Sequence, residues 1–256
     1  MIEFETNNFI FKNKVFYYTD SIFDIDGYSS VSFKAIKNKI NNNLFDCHQE
    51  ILYIIDLNQN LDTIWKNMDR SSHRNVKKAE QKGIIIKFNQ GYEDFYDMYN
   101  YHLRIKKHIQ WFNIHDLDNI KKYGTLVTAE YNNKIISGSV FLEDKDNVVS
   151  WIVASYRYSP NDDIRRLSGN ATHLIQWEII KYAKLKEKKE YNLGACAYDE
   201  SINKTLKQFK ENLGGKPFTY YTYHKDYNIL FKMIRDSYRK IYRPSKNVLL
   251  EHIKND

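Results

Sequence analysis

Three lysines lie on one short, glycine-bounded segment late in the chain, and only one of them is placed to do chemistry. The segment GACAYDESINKTLKQFKENLGG runs from Gly194 to Gly215 and predicts a helix that ends at its two closing glycines. At 100° per residue, Lys204 lies opposite the apolar stripe and Lys207 lies well off it, whereas Lys210 lies at its margin and can turn its ammonium toward a cleft. The stripe consists of Ile202, Leu206, Phe209 and Leu213. A cation in a water-poor cleft stabilises developing negative charge; the alternative is a surface lysine with only its stem against the protein.

A carboxylate, Glu178, falls in the middle of an apolar stripe on a second predicted helix. The stripe of this helix, NATHLIQWEIIKYAK and the residue after it, consists of Ala171, Leu174, Ile175, Tyr182 and Leu185. Because an unpaired buried charge is costly, Glu178 must be paired, hydrogen-bonded or shifted in pKa. It is therefore either a proton acceptor for an incoming amine or a structural partner of a basic side chain.

Basic residues cluster in two further segments of a chain whose formal net charge is +7. The first is a single predicted helix from Leu61 to Gly83 and the second is the tail after Lys225. Both suit the phosphates of RNA, of a nucleotide or of a phosphate-bearing lipid or sugar, through counterion release. A solvated charged face is the alternative. Arg74 in the first segment is a candidate for binding the acceptor substrate, and Arg104 on the following helix is a second candidate.

The composition predicts an ordered chain, with 21 Tyr and 14 Phe against three Pro. Cys47 and Cys196 are the two cysteines and have no metal-ligand spacing, which argues against a disulfide scaffold and a structural zinc site. The first residues lack the pattern of a signal peptide, and the sequence has no 18-residue apolar run. We therefore expect a cytoplasmic protein with no transmembrane segment, no metal and no permanently bound cofactor.

The predicted elements after residue 83 follow the order β-α-α-β-β-β-α-β-α-β, with Asn132-Asn133 as a tight hairpin turn. This order resembles the GNAT acyltransferase fold. The resemblance implies an α+β protein whose mixed, splayed sheet is flanked by helices. The expected organisation is a partial N-terminal α/β subdomain with a basic helix over 1–83, an acyltransferase core over 84–225 and a basic helical tail over 226–256.

Five local strings narrow the resemblance to the FemABX branch of this superfamily, which comprises peptidoglycan bridge-forming aminoacyltransferases and relatives from cell-envelope clusters. The resemblance implies that Phe209 and Lys210 lie at the acyl-transfer site, where Lys210 stabilises charge developing on the donor carbonyl. Trp151 and Tyr191, which open two of the strings, are candidate substrate-binding residues. The strings are RNVKKAEQKGIIIKF (74–88), WIVASY (151–156), NATHLIQWEIIKYAK (170–184), YNLG (191–194) and QFKENLGG (208–215).

The run RRLSGNA, at 165–171, resembles a second GNAT motif. GNAT enzymes that use acetyl-CoA carry Arg/Gln-x-x-Gly-x-Gly/Ala between a strand and a helix, where backbone N–H groups at the helix start hold a pyrophosphate. Arg166, Gly169 and Ala171 match that spacing. Asn170 lies among them, either as part of the cofactor site or as a plain N-cap of the helix that follows.

Three functions remain open at this point. The first is an N-acyltransferase that passes an aminoacyl group from aminoacyl-tRNA to an amine on an anionic cell-envelope precursor, a nucleotide- or lipid-linked sugar or peptide, with peripheral contact to the membrane surface. The second is an acetyl-CoA-dependent N-acetyltransferase acting on an amino sugar. The third is a non-catalytic GNAT-like module that binds RNA or an envelope partner. Direct acyl transfer needs mainly positioning and oxyanion stabilisation, which suits a chain without a nucleophile motif.

Overall fold

The computed structural model describes residues 1–8, 10–105, 117–196 and 200–242, and describes the backbone alone at residues 8, 200–203 and 238–242. The strands in these ranges are β1 (Ile2–Asn8), β2 (Phe11–Tyr17), β3 (Ser30–Ile36), β4 (Asp46–Asp56), β5 (Ile85–Phe88), β6 (Thr125–Tyr131), β7 (Lys134–Glu143), β8 (Asn147–Ser155), β9 (Glu190–Ala195) and β10 (Lys216–Asp226). The helices are α1 (Leu61–Asn67), α2 (Arg70–Gln81), α3 (Tyr92–Ile105), α4 (Leu117–Tyr123), α5 (Asp162–Leu185), α6 (Glu200–Asn212) and α7 (Ile229–Tyr242).

All of these strands belong to one mixed sheet, in the order β1-β2-β3-β10-β4-β9-β8-β7-β6-β5. Neighbouring strands are antiparallel except β2 with β3 and β8 with β9, which are parallel. The α+β class predicted from the order of elements is confirmed. The hairpin between β6 and β7 turns at Asn132 and Asn133, whose φ values of 49° and 59° are those that a tight turn requires.

The two parallel strands β8 and β9 lie side by side only at one end. Their pairing covers three residues of each strand and stops at Val149 and Asn192. Beyond that point β8 continues along β7, and Ala195 of β9 pairs with Leu52 of β4. The strands therefore diverge, as the predicted splay requires, and the gap between them is not closed by backbone hydrogen bonds.

Helices cover both faces of the half of the sheet that contains this gap. On one face α2 and α5 enclose a core that includes Val76, Ile175 and Ile179. On the other face α3 and α4 pack through Phe95 and Ile120. Alternation of side chains along β6 and β7 supplies apolar residues to both layers, as expected for strands buried on two sides.

Two helix boundaries differ from the sequence prediction. The single helix expected from Leu61 to Gly83 is divided into α1 and α2, because Asp69 has an extended backbone and its carboxylate accepts the N–H of Ser71 as an N-cap. Helix α5 begins at Asp162 and not at Asn170. Its N-cap is Asn161, whose side-chain oxygen accepts the backbone N–H groups of Asp163 and Ile164.

Strands β1 to β4, from the first 83 residues, belong to the same sheet as the strands of the rest of the chain. Strand β4, from this segment, lies between β10 and β9 near the middle of the sheet. The proposed division at residue 83 stays a prediction. Residues 243–256 of the predicted basic tail lie outside the described residues.

Candidate functional site

A cavity of about 790 Å³ opens where β8 and β9 diverge, and helices α5 and α6 form much of its wall. The described residues that line it include no Asp or Glu. Its wall is therefore cationic and suits an anionic ligand. The basic and imidazole side chains on this wall are His102, Arg157, Arg165, His173, Lys204 and Lys210.

Lys210 is the buried cation of this wall, with only 5% of its surface exposed. Its Nζ donates to the carbonyl oxygens of Gly194, at 2.8 Å, and Ala195, at 2.7 Å, in the last two residues of β9. An ammonium has three N–H groups. The third is thus left for a ligand or for the neighbouring sulfur of Cys196.

The electrostatic state of Lys210 follows from its burial. Desolvation lowers the pKa of Lys210 from 10.5 to about 8, and the nearby Cys196 opposes part of that change. Burial also raises the pKa of the Cys196 thiol. At neutral pH the site therefore contains a protonated lysine beside a neutral thiol, which is the state that can stabilise an oxyanion.

The glycines that bracket this segment account for its geometry. Gly194, the last residue but one of β9, and Gly214, two residues after α6, have positive φ values of 84° and 85°. At Gly215 a Cβ would lie 2.8 Å from both the Leu193 side chain and the carbonyl oxygen of Lys210. Only glycine permits that approach, which holds the end of α6 against the strand that binds its lysine.

The other two lysines of α6 are exposed to solvent, as the helical period predicts, but Lys204 nevertheless lines the cavity. Phe209 is half-buried and packs its ring against that of His173, with centroids 4.9 Å apart and planes at 70°. Both rings line the cavity. The Phe209-Lys210 pair therefore contributes an apolar surface and a cation to one wall.

His173 is a site residue that the sequence analysis missed. It lies on α5 in the row Gly169–His173–Gln176, three residues at helical spacing that all line the cavity. Desolvation lowers the pKa of His173 from 6.5 to about 4, so its ring is neutral at neutral pH. Because α5 carries polar side chains along much of its length, the type and spacing of His173 do not distinguish it in the sequence.

Tyr191 supports the cavity from behind instead of lining it. Its ring is fully buried, and its hydroxyl donates to Gln176 Oε1 at 2.5 Å. The Gln176 amide reaches toward Ser139 Oγ at 3.5 Å. Tyr191 thus orients a lining amide, and the direct substrate contact expected of it is not supported by its position.

Glu178 does not lie on the cavity wall. Its carboxylate pairs with Lys181 at 2.5 Å, one helical turn along α5, and keeps 23% of its side-chain surface exposed. Of the two predicted roles, the partner of a basic side chain agrees with this geometry. The role as a proton acceptor does not agree with it, because the carboxylate is off the cavity wall and paired with Lys181.

The predicted pyrophosphate cradle at 165–171 is also corrected. All of these residues lie inside α5, so the backbone N–H groups of Gly169 and Ala171 are in the helix and Asn170 caps nothing. Arg166 is exposed and pairs with Asp163 at 2.7 Å. The true start of α5 carries two carboxylates, Asp162 and Asp163, which repel phosphate.

The three remaining predicted substrate-binding residues lie beside the cavity, not on it. Arg74 is exposed on α2, whose Ser71 and Asn75 line the wall, and Arg104 is exposed two residues after His102. Trp151 packs on Phe4, with ring centroids 5.2 Å apart, while its neighbour Ser150 faces the cavity. On strands, a shift of one residue moves a side chain to the other face.

No protein-family model and no curated protein matches the sequence. No helix in the described part of the chain is long and apolar enough to cross a membrane. Within the same residues, no three His, Cys, Asp or Glu side chains come together as a metal site.

Solved structures share the fold at low sequence identity. The C-terminal domain assigned to a lysylphosphatidylglycerol synthetase of Agrobacterium fabrum has a TM-score of 0.52 and 10% identity, over 93% of this chain and 85% of that one. L-PGS from Bacillus licheniformis has a TM-score of 0.51 and 12% identity, over 81% and 71%. FemX has a TM-score of 0.51 and 13% identity, over 72% of this chain and 63% of FemX, less than two thirds of its length.

At these identities the likeness shows the fold alone. The chain shares the fold of FemX and of these synthetase structures, which agrees with the mixed α+β sheet predicted from the order of its elements.

Proposed function

We propose that this protein is an N-acyltransferase that moves an aminoacyl group from aminoacyl-tRNA to an amine of a cell-envelope precursor. The observation that carries the proposal is the buried ammonium of Lys210, held by two carbonyls of β9 at the edge of the gap between diverging strands. Lysine is seldom buried without a carboxylate partner, and here its charge faces a cavity.

In the proposed reaction the acceptor amine attacks the carbonyl carbon of the aminoacyl ester. A C–N bond forms, and the carbonyl oxygen gains negative charge in the tetrahedral adduct. The remaining N–H of Lys210 donates to that oxygen. Collapse of the adduct breaks the C–O bond and releases the ribose oxygen of the tRNA end. One fixed donor of this kind is worth about 10²–10³ in kcat.

The cationic wall supports phosphate-bearing substrates. Arg157 and Lys204 are exposed at the cavity, and Arg165 lines it while pairing with Asp162 at 2.7 Å. Either the phosphodiester backbone of tRNA or the phosphates of a nucleotide- or lipid-linked acceptor would be attracted by these charges.

Membrane-surface contact is part of the proposal for a lipid-linked acceptor. Four apolar side chains at the start of α7 are strongly exposed, with Ile229 at 77% and Met233 at 62%, and Lys232 is exposed among them. A helix with this pattern binds anionic bilayer surfaces through buried apolar area and lysine charge.

The acetyl-CoA alternative receives less support from the geometry. Its motif residues are inside α5, and the N-terminus of α5 presents Asp162 and Asp163 where a pyrophosphate would bind. If acetyl-CoA nevertheless binds the native protein, it will raise the melting temperature.

The test is transfer of radiolabelled amino acids from charged tRNA to nucleotide-linked and lipid-linked envelope precursors. We expect label in the precursor fraction, a rate that falls as pH rises past about 8 with loss of the Lys210 proton, and loss of transfer in Lys210→Ala. Lys207→Ala, an exposed lysine of the same helix, is the matched control. Transfer from acetyl-CoA alone would overturn the donor assignment. RNA binding without transfer from any donor would support the non-catalytic module.

A further inference from the structure

His173 is a cavity residue whose imidazole ring makes no hydrogen bond within the described part of the chain. Its Nδ1 is buried and has no partner. The ring is held by packing, edge-on against Phe209. Buried side-chain nitrogens almost always have a partner, so this one requires an explanation.

The polar neighbours of His173 on α5 are satisfied. The Thr172 hydroxyl donates to the Ser168 carbonyl at 2.8 Å and also contacts Ser137 Oγ at 2.8 Å. Gln176 is engaged by Tyr191. Within this row the imidazole is thus a cavity-lining polar group that makes no hydrogen bond to the described residues. Since burial lowers the pKa of His173 to about 4, the ring retains a lone pair at neutral pH.

We propose that His173 is a further catalytic residue, one that takes the proton from the attacking amine and passes it to the departing ribose oxygen. This inference rests on the proposed acyl transfer. One proton is transferred in all. The amine nitrogen loses it as the C–N bond forms, the imidazole carries it, and the alkoxide receives it as the C–O bond breaks. The ring is regenerated without any other reactant.

The positions of the two groups fit complementary roles. Lys210 lies on α6 directly after Phe209, and His173 lies on α5 against that same Phe209 ring. The cation and the neutral imidazole therefore reach the cavity from two different helices, next to one aromatic contact. A nitrogen that has just attacked a carbonyl is far more acidic than a free ammonium, so a weakly basic imidazole suffices to take its proton. Weak basicity also favours prompt transfer of the proton from the imidazole to the leaving oxygen.

The experiment compares His173→Ala and His173→Gln with wild type in the labelled-transfer assay, with melting temperatures to verify folding. His48→Ala, an exposed histidine on β4, is the control. We expect both His173 variants to lose about 10²–10⁴ in kcat, the usual worth of a general acid–base group. Free imidazole should restore part of the activity of the alanine variant, because it can occupy the vacated space.

Several results would overturn the inference. Wild-type rates in either His173 variant would mean that the ring transfers no proton. A slow alanine variant that does not respond to imidazole would assign His173 a packing role against Phe209. If the wild-type protein itself transfers nothing, both the proposed function and this inference are wrong. If wild type transfers and the His173 variants transfer equally well, only this inference is wrong.

Discussion

Replacing Lys210 with methionine should abolish acyl transfer and leave the protein no less stable at neutral pH. Methionine has a similar unbranched stem and fills the same space without the charge. The pKa of Lys210 falls from 10.5 to about 8 on folding, which means that burying the ammonium costs about 3 kcal/mol at neutral pH. The substitution removes that cost.

Two hydrogen bonds act in the opposite direction. The carbonyls of Gly194 and Ala195 lose their donor, and because neither residue is buried each loss costs roughly 0.5–1.5 kcal/mol. The net effect on the free energy of unfolding is therefore a gain of roughly 0–2 kcal/mol near pH 7. A residue kept for structure would instead destabilise the protein when replaced.

The pH dependence of the free energy of unfolding gives a more precise expected difference between wild type and the methionine variant. The unfolded chain holds the Lys210 proton up to about pH 10.5, whereas the folded protein releases it near 8. Between those values the unfolded state binds more protons, so the stability of wild type rises with pH relative to the methionine variant. The relative gain is about 2 kcal/mol by roughly pH 9.5.

Urea unfolding of both proteins at about pH 7 and about pH 9.5 measures this difference. Both should carry Cys196→Ala, so that the neighbouring thiol does not titrate, and Lys207→Met in the same background is the control for a solvent-exposed lysine. A wild-type minus variant difference that stays constant with pH would refute the buried, charge-bearing Lys210. Full transfer activity in Lys210→Met would refute its role toward the carbonyl oxygen.

Other changes test the supporting geometry. Tyr191→Phe leaves Gln176 Oε1 without its donor and should lower the free energy of unfolding by about 1–3 kcal/mol, measured by urea titration. Gly214→Ala forces a side chain into a φ of 85° and should cost about 1–2 kcal/mol in the same assay. Arg157→Ala should raise the KM for a phosphate-bearing substrate and weaken its salt dependence while kcat stays unchanged; a changed kcat would contradict a pure binding role. Leu230→Glu should reduce flotation with anionic vesicles, whereas Leu185→Glu, an 81%-exposed control on α5, should not.

The inward position of Lys210 could be predicted from the sequence because it depends on the helical period of α6 alone. The angle between a residue and the apolar stripe of its own helix is a local property, so Lys210 was separated correctly from Lys204 and Lys207. The same reasoning missed His173, because its importance comes from the absence of a partner, and partners are supplied by other elements. Glu178 is the opposite case: its partner Lys181 is one turn away on the same helix, so the predicted pairing with a basic side chain is a local contact.

The start of α5 shows a second kind of limit. The run at 165–171 has the spacing of a phosphate loop, but spacing describes a loop only if the backbone there is free to form one. Asn161 caps the helix nine residues before Asn170, the N-cap expected from the sequence, and places the run in helical conformation. The N-cap Asn161 and the motif at 165–171 are both present in the sequence. The sequence alone does not rank them, and in the structure the cap determines the backbone conformation.

By itself the sequence determined the class of fold, the hairpin at Asn132-Asn133, the glycine stops around α6 and the inward side of Lys210, because each depends on contacts between residues close in the chain. Tertiary structure alone decided which side chains share the cavity. Where β8 parts from β9 depends on partners as distant as β4 and β7, and that parting brings α5 and α6 to one space. Burial by those remote segments, not residue type, lowers the pKa values of Lys210 and His173 and gives the site its chemistry.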